Sequence, residues 1–137
     1  MAIASGSGSV MREFDFMEIK GLPKASTAIT KGQVLVRYAS DDGYRPSFSN
    51  AHGPFFVALE DAASAASPDY IKVIKRGVVK LTAQSGVEEG EWVIPGSNAG
   101  EVTPYTSPAG TTKLASIVGV ALEDITATEA GKVLIGY

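Results

Sequence analysis

His52 is the only histidine in the chain, so a search for chemistry starts there. It sits in the loop Asn50-Ala51-His52-Gly53-Pro54, close to Ser47 and Ser49 and downstream of Asp41 and Asp42. A Ser-His-Asp set can be written from these residues. Nothing local supports it, because the Gly-x-Ser-x-Gly turn that lifts a nucleophilic serine is missing. A lone histidine in a Gly-Pro loop reads as a turn or surface residue. Four acidic pairs follow along the chain: Asp41-Asp42, Glu60-Asp61, Glu88-Glu89 and Glu123-Asp124. They could suggest calcium binding or paired-carboxylate catalysis. Neighbouring residues on a strand point to opposite faces, however, and the D-x-D-x-D-G ligand spacing is absent. The pairs are expected to be strand-end charges that block edge pairing and keep the surface wet. Glu60-Asp61 also suits the start of a helical turn. With no cysteine, a disulfide, a thiol nucleophile and a thiolate metal site are excluded. The expectation is a protein with no catalytic residues, no metal and no cofactor, and therefore not an enzyme.

Two features point to binding instead. Lys72, Lys75, Arg76 and Lys80 form the only basic cluster and no acid interrupts it. It reads either as a solvated sheet face or as a surface that meets an acidic partner. Aromatics that would stack bases are not interleaved with it, which argues against nucleic acid. Trp92 lies in a strand-like run and suits a core or subunit interface better than a sugar platform.

The elements that carry these residues are short and β in character. With 15 glycines and 7 prolines in 137 residues, the chain has many turns. Its hydrophobic share of 45% and charged share of 20% are those of an ordinary folded domain. The formal net charge of −3 speaks mildly against a dedicated nucleic-acid binder. No apolar run approaches the length of a membrane helix, and the first residues lack the pattern of a signal peptide.

Residues 1–20 are expected to form an N-terminal arm, Gly/Ser-rich at first and then alternating around Phe14 and Phe16. Those two aromatics either pack on the domain core or belong to an arm that adds a strand to a partner's sheet. Strands are expected over 33–38, 44–48, 55–59, 71–81, 91–94, 101–105, 114–122 and 132–135, with a bulge or bend at Gly77. The alanines after Asp61 predict a short helical turn near 61–67, ended by Pro68.

Two of these strands carry the same word. Val57-Ala58-Leu59-Glu60-Asp61 recurs as Val120-Ala121-Leu122-Glu123-Asp124. Gly32 and Gly90, Pro46 and Pro104, and Val73 and Val133 follow in the same order at similar spacing. The pattern predicts a mainly β domain over 21–137, a small closed or nearly closed sheet of two similar halves, about 30–81 and 88–137.

Taken together, Lys31-Gly32-Gln33-Val34-Leu35, the two Val-Ala-Leu-Glu-Asp runs, Arg76-Gly77-Val78 within the Val73 to Val79 strand, and the closing Val133-Leu134-Ile135 resemble one family. It is that of the capsid cement, or head decoration, proteins of tailed bacteriophages. The resemblance covers roughly residues 21–137 and rests on the order of motifs that are individually low in information. It implies a β-barrel or β-tulip domain, commonly a homotrimer, on the outer surface of an icosahedral capsid. There such a protein binds the expanded shell and clamps neighbouring capsomers against the pressure of packaged DNA. It implies the major capsid protein as partner, no direct contact with nucleic acid or membrane, and a virion location after synthesis in the host cytoplasm. Phe14, Phe16, Met17, Lys72, Lys75, Arg76 and Lys80 are the expected capsid-binding residues, and Trp92 the expected subunit contact. The competing expectation is a carbohydrate-binding or adhesion module displayed on a virion or cell surface, built around an exposed aromatic.

Overall fold

The computed structural model describes residues 17–23, 27–38, 43–63, 70–105 and 116–136. Phe14 and Phe16 of the expected arm lie outside them, as do Asp41 and Asp42. The described chain forms nine strands: β1 (Met17–Pro23), β2 (Val34–Tyr38), β3 (Gly43–Pro46), β4 (Phe56–Ala58), β5 (Tyr70–Thr82), β6 (Trp92–Pro95), β7 (Val102–Pro104), β8 (Gly119–Ala121) and β9 (Ala130–Ile135). They make one antiparallel sheet in the order β3-β2-β4-β5-β9-β8-β6-β7, with β1 also paired to β5. The sheet curls until its ends meet. The Gly100 N–H donates to the Ser47 carbonyl and the Val34 N–H to the Gly100 carbonyl, each at 3.0 Å. The fold is thus a small, mainly β, barrel-like domain.

The sheet order is a palindrome of two equivalent halves. Leu35 pairs with Pro46 as Val93 pairs with Pro104. Ala58 pairs with Val73 as Ala121 pairs with Val133. The isolated bridge Ile29–Ala62 matches Val87–Ile125. The equivalence extends to β1: Ile19 pairs with Val73 on the first half of β5, as Val79 on its second half pairs with Val133 on β9. By pairing, the units run from 17 to 76 and from 77 to 135, so β5 is shared. The changeover falls at Gly77, whose φ of 135° is one that L side chains rarely adopt. Residues 17–20, the last of the expected arm, are strand β1 paired within the chain.

Each half has its own core. Ile29, Leu35, Phe56, Ala58, Ile71 and Val73 cluster in the first. Their counterparts Val87, Val93, Ala121 and Val133 lie in the second, larger cluster, which also takes in Val34, Val57 and Ile74 from the opposite face of the first half. Strand β4 is therefore buried on both faces, which explains its uninterrupted apolar run.

The helical turn expected near 61–67 is not formed by its described residues. Ala62 instead makes a two-way backbone bridge with Ile29, both bonds 2.8 Å long. The alanines gave a weak local preference, and this bridge, repeated in the second half as Val87–Ile125, outweighs it. Residues 64–67 lie outside the described residues.

Candidate docking surface

Two of the acidic pairs, Glu60-Asp61 and Glu123-Asp124, serve the backbone. The Asp61 carboxylate accepts the Lys31 N–H at 2.7 Å, and its counterpart Asp124 accepts the Glu89 N–H at 2.8 Å. Glu60 accepts the Lys72 N–H at 2.8 Å, and Glu123 accepts the Lys132 N–H at 3.0 Å. Each pair therefore ties the end of its strand to two other segments. The turn glycines Gly32 and Gly90, at φ 92° and 89°, lie beside the Asp-held residues and donate to the carbonyls of Ala58 and Ala121. Asp61 and Asp124 remain exposed at their strand ends, as expected of surface charges, and the hydrogen bonds add a role that the expectation did not include. The repeated word persists in both halves because its carboxylates close equivalent turns.

The histidine site does not assemble around Ser47. Ser47 is fully buried, and its hydroxyl has no hydrogen-bond partner, whereas His52 is exposed. Among the described residues, no three histidine or acidic side chains gather as a metal site would need. Two open clefts lie where the sheet ends meet. One, of about 250 Å³, is lined by residues including Asn50, Gln84, Ile94, Thr103 and Ser116. The other, of about 230 Å³, is lined by residues including Thr27, Arg45, Phe48 and Ser97. Arg45 lies over the Phe48 ring there, 4.9 Å from its centroid.

The basic residues share β5 but not one uniform surface. Lys75, Arg76 and Lys80 are exposed and Lys72 is half-buried. Arg76 is opposite Met17 of β1. Lys80 is directly opposite Lys132 of β9, a cation from the far end of the chain that sequence proximity did not bring into the cluster. Directly paired residues of an antiparallel sheet project on the same face, so two like charges stand side by side there.

Next to that pair runs an apolar row. Val78 pairs with Leu134, Leu134 with Val120, and Val120 with Trp92. Tyr105 extends the row, its N–H donating to the Trp92 carbonyl at 2.8 Å. Val78 and Trp92 are each 45% exposed, and the three residues between and beyond them are half-buried. Trp92 is therefore not part of this chain's core. The sequence placed it correctly on a strand but could not say whether that face would be covered. Leu122, 41% exposed, lies beside Lys132, whose carbonyl takes its N–H.

The fold and this surface define a class: a curled antiparallel β domain made of two like halves, with a basic and apolar face on its second half. In the comparisons with known proteins, no family model matches the chain and no curated protein matches its sequence. Among solved structures, the head fiber gp8.5 N base of bacteriophage phi29 shares the fold. It superposes with a TM-score of 0.64 at 17% identity, over 87% of this chain and 94% of that one. At that identity the likeness establishes the fold.

Proposed function

We propose that this chain is a structural component of a bacteriophage head, bound to the outer surface of an icosahedral capsid, where it cements neighbouring capsomers of the expanded shell. The observation that carries the reading is the shared fold with a phage head fiber base over 87% of this chain. The chemistry is compatible. A protein whose task is attachment needs spread-out binding surface, and many weak contacts repeated over a particle add up through avidity. Its partner is the major capsid protein, and Lys75, Arg76 and Lys80 are the candidates to meet acidic capsid residues. Contacts of that kind weaken as salt rises.

The test is cosedimentation of the full-length chain with purified expanded and unexpanded capsids. Binding to expanded shells, reduced by added salt and by charge reversal at Lys75 and Lys80, is the expected result. Failure to bind either form removes this reading. Removing residues 1–16 leaves β1 intact, so loss of capsid binding by that variant would assign the contact to the arm with Phe14 and Phe16.

A second reading, an adhesion module that binds carbohydrate, is favoured by one observation: the exposure of Trp92 beside Tyr105. A glycan array would separate the two. Retained glycans whose binding is lost on Trp92→Ala support adhesion, and an empty array removes it.

A further inference from the structure

Among the described residues two polar side chains are buried, Ser47 at 0% and Ser116 at 2% exposure. Each lines one of the two clefts where the sheet ends meet, Ser116 the larger and Ser47 the smaller. The Ser47 hydroxyl has no hydrogen-bond partner in the chain, and a buried hydroxyl so placed costs free energy unless a polar group meets it. Its place is particular to the first half. The Ser47 N–H donates to the Val34 carbonyl as the Tyr105 N–H donates to the Trp92 carbonyl, each at 2.8 Å. A serine thus stands where the second half has a tyrosine, and the smaller side chain leaves room there.

The two clefts are neighbours. Ser97 lines both, and the run Phe48-Ser49-Asn50 passes from the smaller to the larger. Phe48 is 41% exposed, with Arg45 over its ring. The larger cleft adds the Gln84 carboxamide, whose oxygen accepts the Asn98 N–H at 2.7 Å, leaving its NH2 as the donor end. Ile94 and Pro95 give that cleft an apolar wall. No carboxylate is among the residues that line either cleft. We propose that this groove along the seam of the sheet binds a saccharide. A sugar ring carries an apolar C–H face and a rim of hydroxyls that both donate and accept. Exposed aromatic surface suits the face. Serine hydroxyls and carboxamides, which also donate and accept, suit the rim. At about 250 and 230 Å³, each cleft lies just below the roughly 300 Å³ at which pockets for drug-sized ligands begin, a size for one ring. The inference rests on the adhesion reading and gives it a site other than Trp92, and it holds whether or not the chain also binds a capsid.

The test is a heteronuclear NMR titration of the full-length chain with the methyl glycosides of glucose, galactose, mannose and N-acetylglucosamine. The expected result is a saturable shift of the signals of Phe48, Ser49, Asn50, Gln84 and Ser97 with at least one glycoside, while the Trp92 indole signal stays in place. Phe48→Ala, at an exposed ring, should weaken that binding about tenfold or more. Ser97→Leu, also at an exposed residue, should do the same by narrowing both clefts. Trp92→Ala should leave the binding unchanged. Circular dichroism checks that each variant is folded. Three outcomes overturn the inference. The first is that no seam signal moves at about 100 mM glycoside, where even a very weak site would fill. The second is binding that survives both Phe48→Ala and Ser97→Leu. The third is movement confined to signals around Trp92, which removes the seam site and leaves the adhesion reading in place. Because no capsid is present, failure here is also distinct from failure to bind shells.

Discussion

Asp124→Ala removes the carboxylate that takes the Glu89 N–H at 2.8 Å, and Asp61→Ala removes its equivalent at the Lys31 N–H, 2.7 Å away. Both carboxylates are exposed, so water can satisfy the released N–H groups in part. The nearest measured analogue is loss of a helix N-cap, which costs about 1 kcal/mol. We expect about 1 kcal/mol from either substitution. For a domain of this size that is roughly a 3–5 °C fall in melting temperature. In urea it is a midpoint shift of about 0.5 M with an unchanged slope. The two latches share no hydrogen-bond partner, so the double variant should lose about 2 kcal/mol, the sum holding within about 0.5 kcal/mol. Asp124→Asn keeps an acceptor oxygen and loses only the charge, so it should cost about half as much as alanine. Urea unfolding followed by circular dichroism measures all four variants. Unchanged midpoints in both alanine variants would show that the carboxylates do not hold the turns. An asparagine variant as unstable as alanine, but rescued by salt, would show that charge and not the hydrogen bond was at work.

Two further expectations rest on single observations. Gly32→Ala and Gly90→Ala should each cost about 1–2 kcal/mol, because both have positive φ and a Cβ would meet nothing closer than 3.9 Å, leaving backbone strain as the whole effect. Equal shifts in urea midpoint would confirm that the turns are equivalent. Ser47→Ala should leave stability unchanged or raise it by about 1 kcal/mol, since it deletes a buried hydroxyl with no partner. A marked loss in thermal unfolding would mean that the hydroxyl is bonded after all.

Much of this architecture was legible before folding was considered. Val-Ala-Leu-Glu-Asp at 57–61 and 120–124 marks equivalent strand ends, and Gly32 and Gly90 mark equivalent turns, because strand periodicity and positive-φ positions leave local signatures. Strands β2 to β9 fall within a few residues of their expected positions for the same reason. At Ala62 the local helical preference yields to a bridge to Ile29, more than thirty residues away in sequence.

What the amino-acid order determined by itself was the inventory: a duplicated, turn-rich β chain with paired acids, one basic run and one tryptophan. Tertiary structure decided what those residues face. The carboxylates of Glu60, Asp61, Glu123 and Asp124 find their N–H partners only when segments distant in sequence are brought together. Lys132 reaches Lys80 only across the β5–β9 pair. Val34 and Trp92 occupy the same place in the two halves, yet one is fully buried and the other 45% exposed. Alternation along a strand says which residues share a face, but only the stacking of one half on the other determines which face remains in water.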